Sequence, residues 1–257
     1  MKVHFTKYQA TGNDFVLIDN RNGAINLSIA DIQRICDRKF GVGADGLILI
    51  EKHPSLDFNL VYYNSDGSQS LCGNGSRAAV NFASSLGMIH GKAKFNAYDG
   101  RHDAEINNGI VKLKMGDVTV DADSDFINTG SPHVIKFVDQ LKDYAVFEEG
   151  RTIRYARNAN ANFVQPLGNN TIYVRTYERG VENETLSCGT GVTAAALAAH
   201  LKGYKSPVAI KTPGGELSVE FTLGGHVGPQ AAGQSVTFLD IFLIGPAKMV
   251  FEGDLEL

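Results

Sequence analysis

The chain has 257 residues, with 24 lysines and arginines against 28 aspartates and glutamates, and a formal net charge of −4 at pH 7. This balance argues against a protein built to bind nucleic acid or an anionic membrane, and 43% hydrophobic with 20% charged residues argues against disorder. Three cysteines are too few, and odd in number, for a secreted disulfide framework. We find no apolar run long enough for a membrane span and no signal-peptide core, so we expect a cytoplasmic protein.

Short alternating or apolar runs, separated by Gly, Asn and Asp turns, predict strands through most of the chain. In chain order they are 4–8, 15–19, 47–51, 58–64, 109–115, 134–138, 171–177, 217–221 and 236–244. Helices are predicted over 28–39, 76–86 and 192–202. This mixture predicts an α+β fold with mostly antiparallel sheet, in which the two later, small-residue helices are each buried in a barrel-like sheet.

The sequence contains an internal repeat. Cys72-Gly73-Asn74-Gly75 recurs as Cys188-Gly189-Thr190-Gly191, and an alanine-rich segment follows each copy. Flanking segments also match, Ala44-Asp45 with Ala161-Asn162 and 60–67 with 173–180, at offsets of about 113 to 118 residues. We therefore predict two homologous halves, 1–118 and 119–245, with a last strand at about 246–257 returning to the first half.

Each Cys-Gly-x-Gly motif precedes a predicted helix, and this position affects a thiol. The helix dipole and the unpaired N–H groups of the first turn favour the thiolate. The glycines allow a ligand to approach the backbone, whose N–H groups can bind a carboxylate. Each half therefore offers a reactive sulfur beside a carboxylate site.

Two such sites facing one bound carbon could remove a proton from one side and return one to the other. This is general acid–base catalysis with a thiolate as base and a thiol as acid. The helix N-termini would stabilise the charge that develops on the adjacent carboxylate. The residues alone thus predict proton transfer by two thiols next to a carboxylate.

Other interpretations of these residues remain open. A single cysteine in a glycine-rich segment is often a small buried hydrophobe, which is what we expect of Cys36. A metal site formed by the two repeated cysteines and His133 lacks the usual paired spacing, so no metal is expected. The segment 40–46, FGVGADG, lacks the third glycine of a dinucleotide fingerprint and is interpreted as a turn.

Motifs along nearly the whole chain resemble those of the diaminopimelate epimerase family. They are TGNDF (11–15), FGVGADG (40–46), NSDGSQSLCGNGSR (64–77), TGSPH (129–133), NANFV (160–164), ERG (178–180), LSCGTG (186–191) and PGGEL (213–217). The resemblance implies an isomerase without a cofactor that interconverts LL- and meso-diaminopimelate for lysine and peptidoglycan precursors. It also implies two pseudo-symmetric domains, each a sheet around a helix, and a homodimer.

The same resemblance assigns roles to residues. It makes Cys72 and Cys188 the two acid–base thiols and gives His133 and Glu178 a part in tuning their pKa values. The implied substrate-binding residues are Asn13, Asn64, Gly73, Asn74, Ser131, Asn160, Glu178, Arg179, Gly189 and Thr190. From sequence alone, the asparagines could equally be turn formers, Glu178-Arg179 an exposed hairpin end, and His133 a structural residue.

The chain departs from the family pattern at two positions that bear on substrate contacts. Ser131 stands where many members have Asn, and Gly46 stands where some have Gln. Two other functions are alternatives to this one. One is a cofactor-independent racemase for another amino acid, and the other is a non-catalytic amino-acid binder or redox switch in which Cys72 and Cys188 pair.

Overall fold

The computed structural model describes residues 2–224 and 234–256. These residues fold into two compact units, the first within 1–113 and 245–257 and the second within 114–244. The predicted halves, 1–118 with 246–257 and 119–245, have bounds close to these.

The first unit contains two helices and a sheet. Its helices are α1 (Ile29–Cys36) and α2 (Gly73–Ser85), and its strands are β1 (Lys2–Ala10), β2 (Asn13–Asp19), β3 (Gly46–Glu51), β4 (Phe58–Asn64), β5 (Lys92–Ala97), β6 (Gly100–Asn107), β7 (Ile110–Lys114) and β17 (Lys248–Glu256). The β2–β3 and β4–β5 pairs are parallel. The pairs β1–β17, β1–β2, β3–β4, β5–β6 and β6–β7 are antiparallel.

The second unit repeats this arrangement. Its helices are α3 (Val146–Arg157) and α4 (Gly189–Leu201), and its strands are β8 (Val118–Asp121), β9 (Phe126–Asn128), β10 (Pro132–Phe137), β11 (Asn160–Gly168), β12 (Thr171–Glu178), β13 (Asn183–Thr185), β14 (Val208–Thr212), β15 (Gly215–Gly224) and β16 (Ser235–Pro246). The β10–β11 and β12–β14 pairs are parallel. The pairs β9–β10, β11–β12, β12–β13, β14–β15, β15–β16 and β8–β16 are antiparallel.

The order of parallel and antiparallel pairs is thus the same along both units, and the registers agree. Leu47 lies opposite Tyr63 in the first unit, and Ala161 lies opposite Tyr177 in the second. The predicted α+β fold of two repeated halves, with mostly antiparallel sheet, is confirmed.

Two of the predicted alignments between the halves are wrong by one or a few residues. The parallel register sets Phe15 opposite Gly46 and His133 opposite Asn160, so Gly46 corresponds to Asn160. Asp45 therefore does not correspond to Asn162. The predicted alignment of 60–67 with 173–180 is displaced by one residue from the alignment in the structure. The error arises because turn residues were matched, and loops of different length separate the turns from the strands.

The helices α2 and α4 lie inside their own units, as predicted. Helix α2 packs against β1, β2, β3, β4, β6 and β17, and α4 packs against β9, β10, β11, β12, β14 and β15. Nearly all of α4 is buried, which requires a helix that is small or apolar on every side. Both helices begin three residues before the predicted start, because a cysteine caps each of them.

Helix α1 begins at a capping box in which Ser28 accepts a hydrogen bond from the N–H of Asp31, and the Asp31 side chain accepts one from the N–H of Ser28. It ends at Cys36 rather than at residue 39, because Asp37 has an extended backbone. Cys36, the last residue of α1, belongs to the core cluster, and burial raises the pKa of its thiol to about 11. The prediction of a core cysteine is confirmed.

Helix α3 was not predicted. It has no side-chain N-cap hydrogen bond, and only Val146 and Gly150 are buried, so the sequence shows no apolar stripe. The sequence feature that indicates this helix is its charge distribution, since acidic residues lie in the first turn and basic residues in the last.

The C-terminal strand β17 pairs with β1 from Lys2 opposite Glu256 to Gln9 opposite Lys248.

None of the helices in the described part of the chain has the length and apolar character needed to cross a bilayer.

Candidate active site

Cys72 and Cys188 are the N-cap residues of α2 and α4. Both have extended backbones, with φ −129° and ψ 109° at Cys72 and φ −121° and ψ 114° at Cys188. The first N–H groups of a helix have no acceptor within the helix, and they carry the positive end of its dipole. Each sulfur therefore lies beside backbone donors, among them the N–H groups of residues 73, 74, 189 and 190, that can bind an anion.

In the first unit, Cys72 forms a half-site with Asn13, Gly73 and Asn74. Its Sγ accepts a hydrogen bond from the Gly75 N–H at 3.3 Å and lies 3.6 Å from Asn13 Oδ1. Asn74 Nδ2 donates to the same oxygen at 3.4 Å. The structure thus brings together these four predicted residues; we call them the first half-site.

Asn64, also predicted to bind substrate, lies at the end of β4 opposite Gly46. Its amide is held by its own surroundings: Nδ2 donates to Ser70 Oγ at 3.1 Å, and Oδ1 accepts from the Tyr62 hydroxyl at 3.1 Å. A Cβ at Gly46 would lie 2.5 Å from a Tyr62 ring carbon and 2.7 Å from the Tyr63 carbonyl oxygen. Close packing in this chain therefore leaves no room for a side chain at position 46.

A buried positive charge lies on α2 near the first half-site. The Arg77 side chain is fully buried and donates from Nη2 to Thr11 Oγ1 at 3.1 Å. Within residues 2–224 and 234–256, its Nε and Nη1 have no hydrogen-bond partner. Burial lowers the pKa of Arg77 to about 10, and the charge of Cys72 acts in the opposite direction. Arg77 therefore acts on the Cys72 thiol electrostatically.

In the second unit, Cys188, Gly189, Thr190, Ser131 and His133 form what we call the second half-site. Thr190 Oγ1 lies 3.5 Å from Cys188 Sγ, 2.9 Å from His133 Nε2 and 2.9 Å from Ser131 Oγ. Ser131 Oγ is also 2.9 Å from His133 Nε2. The imidazole thus reaches the sulfur through one hydroxyl group, and Ser131 takes part in that network.

His133 is completely buried and neutral at pH 7. Burial lowers the pKa of His133 to about 3, and the positive charge of Arg179 acts in the same direction. Asn162 Nδ2 lies 3.0 Å from Nδ1, and Thr176 donates to Asn162 Oδ1 at 2.9 Å. Because Asn162 donates to Nδ1, the proton of the neutral ring is on Nε2, facing the two hydroxyls.

The other predicted residues of the second unit surround this half-site. Buried Asn160 donates from Nδ2 to the Pro132 carbonyl at 3.0 Å, and its Oδ1 accepts from the Arg179 N–H at 2.8 Å. Glu178, at the end of β12, accepts a hydrogen bond from Thr185 at 3.0 Å. The exposed guanidinium of Arg179 donates to the Asn158 carbonyl at 3.2 Å and can still offer donors to a carboxylate.

Beneath the helix starts, the two half-sites have different chemistry. A Cβ at Gly75 would be 3.4 Å from Ile48 and 3.5 Å from Phe15, whereas one at Gly191 would be 2.3 Å from Asn162 Oδ1 and 3.3 Å from His133. The apolar side chains of Phe15 and Ile48 in the first unit are thus replaced in the second unit by the imidazole of His133 and the amide of Asn162.

The sequence did not indicate several of these residues. They are Asn162 and Thr176, which orient His133, and Arg77, whose burial no sequence pattern indicates. The described residues contain no group of three or more His, Cys, Asp and Glu side chains that could hold a metal ion.

Comparison with known proteins identifies the family. The family model described as diaminopimelate epimerase matches residues 5–120 and 126–235. The chain belongs to the diaminopimelate epimerase family. A diaminopimelate epimerase of Flavobacterium psychrophilum is 47% identical, with 96% of this chain and 97% of that protein covered. One from Aquifex aeolicus is 39% identical, with 99% and 98% covered. The chain is therefore an isomerase of the epimerase type.

Solved structures share the fold of this epimerase family member at low identity. A hydroxyproline epimerase from Agrobacterium vitis, with bound trans-4-OH-L-proline, has a TM-score of 0.70 and 14% identity, covering 99% of this chain and 91% of that one. A phenazine biosynthesis protein of the PhzF family from Bacillus anthracis has a TM-score of 0.69 and 14% identity, with both chains fully covered. At this identity the likeness shows the fold alone.

The space beside Gly75 and Gly191 predicts that alanine substitutions at these two positions change the stability of the protein differently. We expect Gly191→Ala to destabilise the protein by about 1–3 kcal/mol, because the new methyl group must displace Asn162. Gly75→Ala should be neutral or slightly stabilising, since its contacts are ordinary and alanine favours a helix. Thermal unfolding of both variants tests this, and equal loss of stability would contradict it.

The buried imidazole predicts a pH dependence of stability. The pKa of His133 is about 3 in the folded chain and about 6.5 when unfolded. The unfolded state therefore binds more protons between these values, and stability falls as pH decreases from about 6.5, by about 1.4 kcal/mol per pH unit. Urea unfolding at pH 7.5 and 5.5 should show a smaller acid loss in His133→Gln than in the wild type. An equal loss would show that His133 is not held neutral.

Proposed function

We propose that this protein interconverts LL- and meso-diaminopimelate without a cofactor, with Cys72 and Cys188 as the two acid–base groups. The observation that carries the proposal is the repeated helix start: in a member of this family, a cysteine caps a buried helix in each unit. This reaction would serve the synthesis of lysine and of peptidoglycan precursors.

The chemistry follows from what each helix start offers. The carboxylate next to the reacting carbon would accept hydrogen bonds from the N–H groups of Gly73 and Asn74 and of Gly189 and Thr190. One sulfur, as thiolate, takes the α-proton, and the other, as thiol, gives a proton to the opposite face. Negative charge develops on the carboxylate as the α-proton leaves, and the helix dipoles stabilise that charge.

In the second half-site, Thr190 connects the sulfur to a neutral imidazole. Its hydroxyl can donate to a Cys188 thiolate while it accepts from His133 Nε2, which lies 2.9 Å away. We therefore propose that His133 tunes the thiol through this hydroxyl, without carrying a charge. Glu178, half-buried at the end of β12, is proposed to add to this tuning.

The remaining polar residues are proposed to bind the substrate. Asn13, Asn64, Ser131 and Asn160 can donate to or accept from its polar groups. Arg179 provides a planar fork for a carboxylate, and Glu178 can accept from an ammonium group. A substrate with a second amino-acid group, such as diaminopimelate, gives these residues more partners than a single small amino acid would.

A second candidate is a racemase of the same fold acting on another amino acid. The hydroxyproline epimerase with the same fold supports it at the level of the fold. A substrate panel separates the candidates: turnover of diaminopimelate but not of proline-like rings supports the first proposal, and the reverse supports the second.

The direct test of the mechanism is incubation of the pure protein with LL-diaminopimelate in D₂O. We expect epimerisation with uptake of deuterium at the α-carbon, and we expect Cys72→Ala and Cys188→Ala each to abolish epimerisation. Cys36→Ala is the matched control and should retain activity, because Cys36 belongs to the hydrophobic core at the end of α1. Full activity in either of the first two variants would exclude the two-base mechanism.

We also propose a cytoplasmic homodimer. The support for self-association is strand β17, where Met249, Val250 and Phe251 are 50%, 57% and 46% exposed, since clustered exposed apolar residues mark interaction surfaces.

Size-exclusion chromatography with light scattering should therefore report twice the chain mass for the wild type. Val250→Asp should yield monomer, because it would bury a charge in the interface. The control Val181→Asp, at a valine also 57% exposed, should remain a dimer. A monomeric wild type at tens of micromolar would overturn the proposal.

A further inference from the structure

The segment between α1 and β3 contains the motif FGVGADG, which the thiol chemistry does not explain. Two residues of this segment, Arg38 before the motif and Asp45 within it, contact strand β2 at the end where the first half-site lies. The segment therefore does more than connect two elements.

Asp45 fixes the orientation of the Asn13 amide. Asn13 Nδ2 donates to Asp45 Oδ2 at 2.6 Å, and the Asp14 N–H donates to the same oxygen at 3.2 Å. An ionised carboxylate only accepts hydrogen bonds, so it selects the nitrogen of the amide. The oxygen of the Asn13 amide must then face the other way, where Cys72 Sγ lies at 3.6 Å and Asn74 Nδ2 at 3.4 Å.

Asp45 is itself held in place. Arg38 Nη2 lies 2.7 Å from Asp45 Oδ1 and 2.7 Å from Asp14 Oδ1, and Arg38 Nη1 lies 3.1 Å from Asp14 Oδ2. Buried Lys7 lies 2.7 Å from Asp14 Oδ2 and also donates to the Gly43 carbonyl. Burial raises the pKa of Asp14, but the hydrogen bonds and charges of Arg38 and Lys7 outweigh it and lower that pKa to about 2. Asp14 is therefore ionised at neutral pH and holds Arg38 beside Asp45.

We propose that Asp45 is a positioning residue for the reaction: through Asn13 it presents an acceptor oxygen to Cys72 and so sets where this thiol holds its proton. An acceptor favours the protonated thiol over the thiolate. The inference rests on the proposed role of Cys72 as an acid–base group.

The groups that face Cys72 from the surrounding elements must be separated from this effect. Arg77 on the same helix interacts with Cys72 through its charge. Lys7 on β1, Asp14 on β2 and Arg38 on the loop belong to the ion-pair cluster around Asp45. The side chains beside Gly75 from β2 and β3, Phe15 and Ile48, are apolar. A variant that removes the Asp45 charge but keeps an acceptor distinguishes orientation from charge.

The experiment compares Asp45→Ala, Asp45→Asn and Asp37→Asn. Asn at position 45 has one acceptor oxygen and one donor nitrogen, so one of its two amide orientations still offers an acceptor to Asn13, whereas Ala offers none. Asp37 lies in the same loop, and its side chain accepts hydrogen bonds from the backbone N–H groups of Lys39 and Phe40, so its Asn variant is a control with the same change of charge. Alkylation of each cysteine is followed against pH by peptide mass spectrometry, and kcat and KM are measured with LL-diaminopimelate.

For Asp45→Ala we expect the pH midpoint of Cys72 alkylation to fall by about half to one unit while that of Cys188 stays unchanged, because the amide can then rotate. We expect kcat to fall about tenfold, with a smaller change in KM. Asp45→Asn should show a smaller shift than Asp45→Ala, and Asp37→Asn should behave like the wild type.

Three results would overturn the proposal. They are an unchanged Cys72 midpoint in Asp45→Ala, equal shifts in Asp45→Ala and Asp45→Asn, which would indicate charge alone, and equal shifts at Cys72 and Cys188. The alkylation midpoints do not depend on turnover, so failure of the proposed reaction is distinguishable from failure of this inference.

Discussion

The chemistry of this protein depends on one constraint: a helix that begins at a cysteine is enclosed by the strands of its own unit. The first turn of such a helix has N–H groups without acceptors, and burial leaves the helix no freedom to satisfy them by fraying. With 3.6 residues per turn, a start displaced by one residue would rotate the sulfur by about 100° around the axis. The packing of α2 and α4 therefore fixes the direction of each thiol together with the donors beside it.

Small residues make this enclosure possible. Ten of the residues in α4 are buried, most of them Gly, Ala, Val or Thr, so the strands approach the helix from several sides. A helix of leucines would push those strands away and leave the N-terminus open to water. The alanine-rich segments after the two motifs thus help to position the sulfurs, although their alanine side chains have no group that can transfer a proton.

The sequence predicted the repeat, the helix starts and the α+β class because each depends on local pattern: glycine spacing, a cysteine before an alanine run, and alternation of apolar residues. Helix α3 was missed because little of it is buried. Asp45 lies in a motif that predicts a turn, and nothing in FGVGADG shows that its carboxylate reaches Asn13 from 32 residues away. Asn162 was likewise hidden, because its partner His133 lies on a neighbouring strand and strand register is decided by tertiary packing.

On the proposed mechanism, the reaction runs in both directions, so each sulfur must act as base in one direction and as acid in the other. Neither thiol can then be locked in one protonation state, and the two half-sites avoid this in different ways. Cys72 has fixed and opposing partners, an N–H of Gly75 that favours the thiolate and an oxygen of Asn13 that favours the thiol. Cys188 has the hydroxyl of Thr190, which can rotate to donate or to accept. An imidazolium behind that hydroxyl would favour a permanent thiolate. The buried ring of His133 is neutral and does not have this effect. The burial that lowers the pKa of His133 therefore matters to the chemistry.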